Sequence, residues 1–195
     1  RARRQRFERR VRQSVDVAGF VVHRRHDDDV GRGEQARDVQ LRLRADRLGE
    51  GAGLHVRRGD WILEGGAIDV DGTGLAVTTE QCLLNPNRNA YLSRGEVEAK
   101  LRADLGIDRL LWLGSGLMND HTDGHVDNLA RFVARGKIAI PEPAARDPNE
   151  AVYRDAANRA RRFGLDVALL PSPGLVTRGE EIIPASYMNF YIGNA

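Results

Sequence analysis

Residues 67–113 read AIDVDGTGLAVTTEQCLLNPNRNAYLSRGEVEAKLRADLGIDRLLWL, and the order of local signals along them sets the fold class. Trp61–Leu63, just upstream, and Ala67–Val70 read as strand. Asp71-Gly72-Thr73-Gly74 follows with residues that tolerate positive φ at a hairpin turn. Asp69-Val70-Asp71-Gly72 opens like a calcium loop but lacks the acids that should follow, so it too reads as hairpin. Leu75–Thr79 returns as a second strand. Ser93-Arg94-Gly95-Glu96 then matches the capping box, with Ser at N-cap and Glu at N3. Val97, Leu101 and Leu105 keep helical spacing, Gly106 is a natural stop, and Leu110–Leu113 is the next strand. The order is strand, strand, helix, strand.

Working outward, the same order recurs. His125–Val133 and Lys137–Ile140 read as strands parted by Ala134-Arg135-Gly136, Pro148–Phe163 as a helix ending before Gly164, and Leu165–Leu170 as a strand. A third unit is expected to open at Tyr187–Ile192. Its opening strands recur near Glu64, His125 and Asn189, 61 and 64 residues apart. Upstream, Glu34–Leu48 reads as a helix and Leu54–Val56 as a strand, the back half of one more unit. A ββαβ unit at this period predicts a radial α/β assembly in which each unit buries its apolar faces on its neighbours. The chain of 195 residues would then be part of a ring, with unpaired strand edges at both ends.

Composition sets the outer limits. Hydrophobic residues make up 41% and charged residues 30%, with a mean hydropathy of −0.47, as in a water-soluble domain. No apolar run approaches the roughly 20 residues that cross a bilayer. The single cysteine, Cys82, excludes an intrachain disulfide framework. No signal peptide opens the chain, so a cytoplasmic location is expected; the first residue is Arg1 rather than Met. Residues 1–60 hold 16 arginines and 10 acids, whereas residues 61–195 hold 14 basic and 18 acidic residues. The first segment is therefore a basic arm and the second an acidic body. Phe7 and Phe20 are the arm's only aromatics, and a stacking surface for nucleic acid needs more. The arm is read as solvated, not as a nucleic-acid module.

Three groups of residues could carry chemistry. Leu63-Glu64-Gly65-Gly66 sets a carboxylate beside glycines that admit close approach of a ligand. His121-Thr122-Asp123-Gly124-His125-Val126-Asp127-Asn128 would, if extended, project His125 and Asp127 from one face, joined by Asp123 and His121. Four ionisable groups on one face are not explained by packing. Asn85-Pro86-Asn87-Arg88-Asn89 reads as a polar loop, and Cys82 as a buried small hydrophobe, not a nucleophile. Paired carboxylates can hold a planar guanidinium through charge-assisted hydrogen bonds, and an adjacent histidine can move protons.

These residues, with Thr79-Glu80-Gln81-Cys82-Leu83-Leu84-Asn85-Pro86-Asn87-Arg88-Asn89 and Ala185-Ser186-Tyr187-Met188-Asn189-Phe190-Tyr191-Ile192-Gly193-Asn194, resemble the agmatine deiminase and bacterial-type peptidyl-arginine deiminase family. The likeness runs through residues 61–195; residues 1–60 match poorly. It implies a five-fold pseudo-symmetric α/β propeller of ββαβ units, and hydrolysis of a guanidinium C–N bond. In agmatine deiminases the products are N-carbamoylputrescine and ammonia, a step of putrescine biosynthesis. The resemblance implies that Glu64 and Asp127 sit at the guanidinium site, with Asp123 beside them, and that His125 is the general acid/base. A cysteine attacks the guanidinium carbon, and water resolves the covalent intermediate. No metal or organic cofactor is implied. The family's nucleophilic cysteine, in a Gly-Gly-x-x-His-Cys context, and its Arg-Asp-Ser-Gly-Pro motif do not occur in this sequence. Cys82 aligns with a non-catalytic cysteine.

The expected activity thus belongs to an intact protein, and the 195-residue chain alone is expected to be inactive on its small cationic guanidinium substrate. Two other readings compete. One is a non-catalytic guanidinium- or amine-binding protein; the other is a metal-dependent hydrolase built on His121, Asp123, His125 and Asp127.

Overall fold

A computed structural model describes residues 59–193. The Arg-rich arm, the Glu34–Leu48 helix and the Leu54–Val56 strand lie outside the described residues. The chain divides into two compact units, Arg1–Glu64 and Gly65–Ala195. In the first, described from Gly59, Trp61, Ile62 and Leu63 are buried but form no strand, contrary to the expectation for Trp61–Leu63. Apolar and β-branched character favours a strand only where a ladder partner accepts it.

The second unit carries two copies of one α/β motif. In the first copy, β1 (Asp69–Val70) pairs antiparallel with β2 (Leu75–Thr79). Two short helices follow, α1 (Glu80–Leu83) and α2 (Pro86–Asn89), then α3 (Arg94–Leu105) and β3 (Arg109–Leu113), which returns parallel to β2. In the second copy β4 (Arg131–Ala134) pairs antiparallel with β5 (Lys137–Glu142). The chain then crosses through α4 (Glu150–Phe163) to β6 (Asp166–Pro171), parallel to β5. Both sheets are three-stranded with the double-pairing strand central, so the ββαβ repeat read from the sequence is present twice.

Local chemistry accounts for these elements. Ser93 caps α3: its hydroxyl accepts from the Glu96 amide while the Glu96 carboxylate accepts from the Ser93 amide. Gly106 ends the helix at φ 67°, where a side chain would be strained. In α4, Tyr153, Ala156, Ala157 and Ala160 form the buried stripe, and the helix packs on both β3 and β5. Leu113, Leu129, Ile138 and Ile140 are fully buried in the shared core, each worth about 1.5–3 kcal/mol.

Four further expectations are corrected. Ala67 belongs to a 3-10 turn, Gly65–Ala67, not to the strand that follows. His125–Val133 is not one strand: Val126–Asn128 is a 3-10 turn, and β4 starts only at Arg131. Tyr187–Ile192 is irregular and opens no third unit among the described residues. A small hairpin instead joins β7 (Thr177–Arg178) to β8 (Glu181–Ile182). The Asn85–Asn89 stretch, read as a loop, holds α2, because the Asn85 side chain caps it and Pro86 sits at its first turn. No helix among the described residues is long and apolar enough to cross a membrane.

Candidate functional site

The two 3-10 turns, Gly65–Ala67 and Val126–Asn128, meet. A Cβ on Gly66 would lie 2.4 Å from His125 Nδ1 and 2.6 Å from Asp127 Oδ2, so any side chain there would force these two groups to move. Glycine therefore lets this backbone reach the imidazole and the carboxylate together. The pair does converge, but through a tight turn following the left-handed residues Asp123 (φ 57°) and Gly124 (φ 82°), not by strand alternation.

Asp127 is the electrostatic centre. Burial pushes its carboxyl above its ordinary value, and Asp120 adds to that, while His125, Arg131 and the Asn189 amide oppose it. Asn189 Nδ2 donates to Asp127 Oδ2 at 3.2 Å. The other oxygen, Oδ1, is buried and accepts no hydrogen bond among the described residues. A buried acceptor left open costs about 1–3 kcal/mol, so it is retained where something donates to it. Arg131 pairs with Asp69 at 3.3 Å and stacks 5.5 Å from the Phe190 ring.

Sequence reasoning missed Asn189. Residues 186–190 are a laid-down segment: Ser186 Oγ donates to the Asn128 carbonyl at 2.6 Å, Met188 is buried, and Asn189 reaches Asp127. The repeat spacing had already set Asn189 in register with His125; assigning the segment to a strand hid its part in the site.

The remaining sequence candidates fall in different places. Cys82 is fully buried on α1, as expected of a small hydrophobe, yet its sulfur lies within 4.8 Å of a His125 ring nitrogen. Glu64 is half-buried and ends the first compact unit, immediately before Gly65. Asp123 Oδ2 accepts from Arg88 Nη1 at 2.8 Å. His121 is exposed. Among the described residues His121, Asp123, His125 and Asp127 do not gather within ligand distance, which removes the geometric basis of the metal-hydrolase reading.

A sequence model of the Porphyromonas-type peptidyl-arginine deiminases matches residues 31–195. The agmatine deiminase of Pseudomonas putida is 51% identical over 129 residues, 62% of this chain and 35% of that protein. A substrate-bound agmatine deiminase structure from C. jejuni superposes with a TM-score of 0.70 at 32% identity, covering 76% of this chain and 45% of that one. The structure of the Enterococcus faecalis agmatine deiminase catalysing its reaction gives 0.68 at 35% identity, over 76% of this chain and 47% of that one. The chain thus spans less than half the length of these proteins.

Proposed function

Because the chain belongs to the Porphyromonas-type peptidyl-arginine deiminase family, we propose that it is the guanidinium-holding and proton-transferring part of a hydrolase of guanidinium C–N bonds. Agmatine is the proposed substrate, with N-carbamoylputrescine and ammonia as products. The observation that carries the reading is Asp127 Oδ1, a buried open acceptor next to an imidazole. A planar guanidinium offers such an oxygen a charged N–H.

In this proposal Asp127 and Glu64 bind the guanidinium, which fixes its carbon and spreads its positive charge. A thiolate from the intact protein, outside these 195 residues, attacks that carbon. His125 gives its proton to the departing nitrogen, and ammonia leaves. The imidazole then takes a proton from the water that attacks the amidino carbon, and the thiolate is released. Cys82 is not the nucleophile, since it is closed off from solvent. The two ββαβ repeats are proposed to belong to a five-fold propeller, and the reaction to take place in the cytoplasm.

Ammonia release from agmatine tests the reading. The intact protein is expected to turn over, the 195-residue chain to show none, and His125→Gln in the intact protein to lose about 10²–10⁴-fold in kcat. Turnover by the 195-residue chain would overturn the assignment of the nucleophile. The open Asp127 oxygen equally suits a protein that binds guanidines without cleaving them. Calorimetric heat with agmatine, combined with an inert intact protein, would favour that reading.

A further inference from the structure

The histidine stands at the end of a turn that needs holding. Asp123 and Gly124 take φ 57° and 82° in succession, and His125 follows at once. One brace is internal: Asp120 Oδ1 accepts from the Thr122 amide at 2.9 Å and from its hydroxyl at 2.7 Å, and Thr122 Oγ1 accepts from the His125 amide at 3.3 Å. The other comes from the first repeat. Thr79 Oγ1 donates to the Gly124 carbonyl at 2.6 Å. Arg88, on α2, donates from Nη1 to Asp123 Oδ2 and from Nη2 to the Thr122 carbonyl, both at 2.8 Å.

From this arrangement we infer that Arg88 is a positioning residue for His125. Its side chain is only 8% exposed, so this cation is buried against the turn and not spread on the surface. A guanidinium fork can hold a side-chain carboxylate and a backbone carbonyl at once, which an ammonium point charge cannot do with the same geometry. The two bonds fix consecutive residues, Thr122 and Asp123, on the strained side of the turn. The Asp123 carboxylate thereby acts on the site through Arg88. The inference rests on the reading of His125 as the proton carrier.

The test reads the imidazole directly in the 195-residue chain. Its NMR signals are assigned by their loss in His125→Gln, then titrated in the wild type, Arg88→Lys, Arg88→Ala and Asp123→Asn. The expected result is a His125 midpoint displaced by about half a pH unit, a roughly three-fold change in proton affinity, or a split imidazole signal. The Trp112 indole signal is expected to stay in place. Added guanidinium at sub-denaturing concentration should restore the wild-type signal in Arg88→Ala. Unchanged His125 signals in Arg88→Lys and Asp123→Asn would overturn the inference, even if Arg88→Ala failed to fold. No turnover is needed for this readout, so a chain without deiminase chemistry would still give the answer.

Discussion

At Gly66 an added methyl would meet the ends of two side chains, His125 and Asp127; at Gly116 it would meet Gly124 Cα at 2.2 Å, which is backbone. Side-chain ends can swing away and backbone cannot, so the two glycines should fail differently. Gly66→Ala is expected to leave the melting temperature within about 2–4 °C while weakening agmatine binding at least ~10-fold, because the site yields in place of the fold. Gly116→Ala is expected to cost about 1–3 kcal/mol or more in thermal unfolding. Asp127 makes a third case. Burial leads the causes that raise its pKa, so folding favours its protonated form. That contribution is complete below the ordinary value of 3.8 and is lost as pH climbs through the raised one. Asp127→Asn should therefore stabilise the chain at neutral pH and should gain nothing near pH 3. The same substitution should abolish guanidinium binding. A melt and a titration on one sample check both signs.

At the scale of elements, the parts with strong local grammar were readable. Leu75–Thr79 and the Ser93-capped helix through Leu105 fall where the sequence puts them, because hairpin turn, capping box and terminal glycine are all short-range signals. His125–Val133 was misread because polar–apolar alternation over a few residues also fits a 3-10 turn followed by a short strand. Tyr187–Ile192 has the aromatic and branched content of a strand, but Ser186, Met188, Asn189 and Phe190 each find a separate anchor, which no periodicity encodes. The two-residue strands β7 and β8 are too short for any pattern to mark. In the site, the identities of His125 and Asp127 were legible, whereas Asn189 and the Arg88–Asp123 pair were not, since both depend on contacts between distant segments. Around α4, Glu80 accepts from Arg94 and from Arg159, and Arg94 covers the Trp112 ring at 4.8 Å. The cap of α3 lies on the surface. Ser93→Ala should cost about 1 kcal/mol in unfolding and leave agmatine binding untouched, as paired melts and titrations would show.

At the scale of the whole second unit, the two sheets share no strand ladder, yet they are joined. Asp69 Oδ2 accepts from the Phe132 amide at 2.6 Å, and Asp71 Oδ2 accepts from the Gly136 amide at 3.2 Å. Burial works to raise the Asp71 pKa, but bonds from Thr73 and Gly136 win and hold it below its ordinary value. Its contribution is thus present above 3.8 and fades as pH falls through the lowered value. Asp71→Asn is expected to flatten the acid limb of the stability curve in a pH series of melts. Asp71 has two clients: Oδ1 closes its own hairpin through the Thr73 amide and hydroxyl, while Oδ2 grips the Gly136 corner of the next repeat. One carboxylate thereby acts as clasp for one loop and rivet to another. A duplicated motif that carried such a residue would arrive with its fastener already installed, able to dock onto a neighbour without exchanging a single strand.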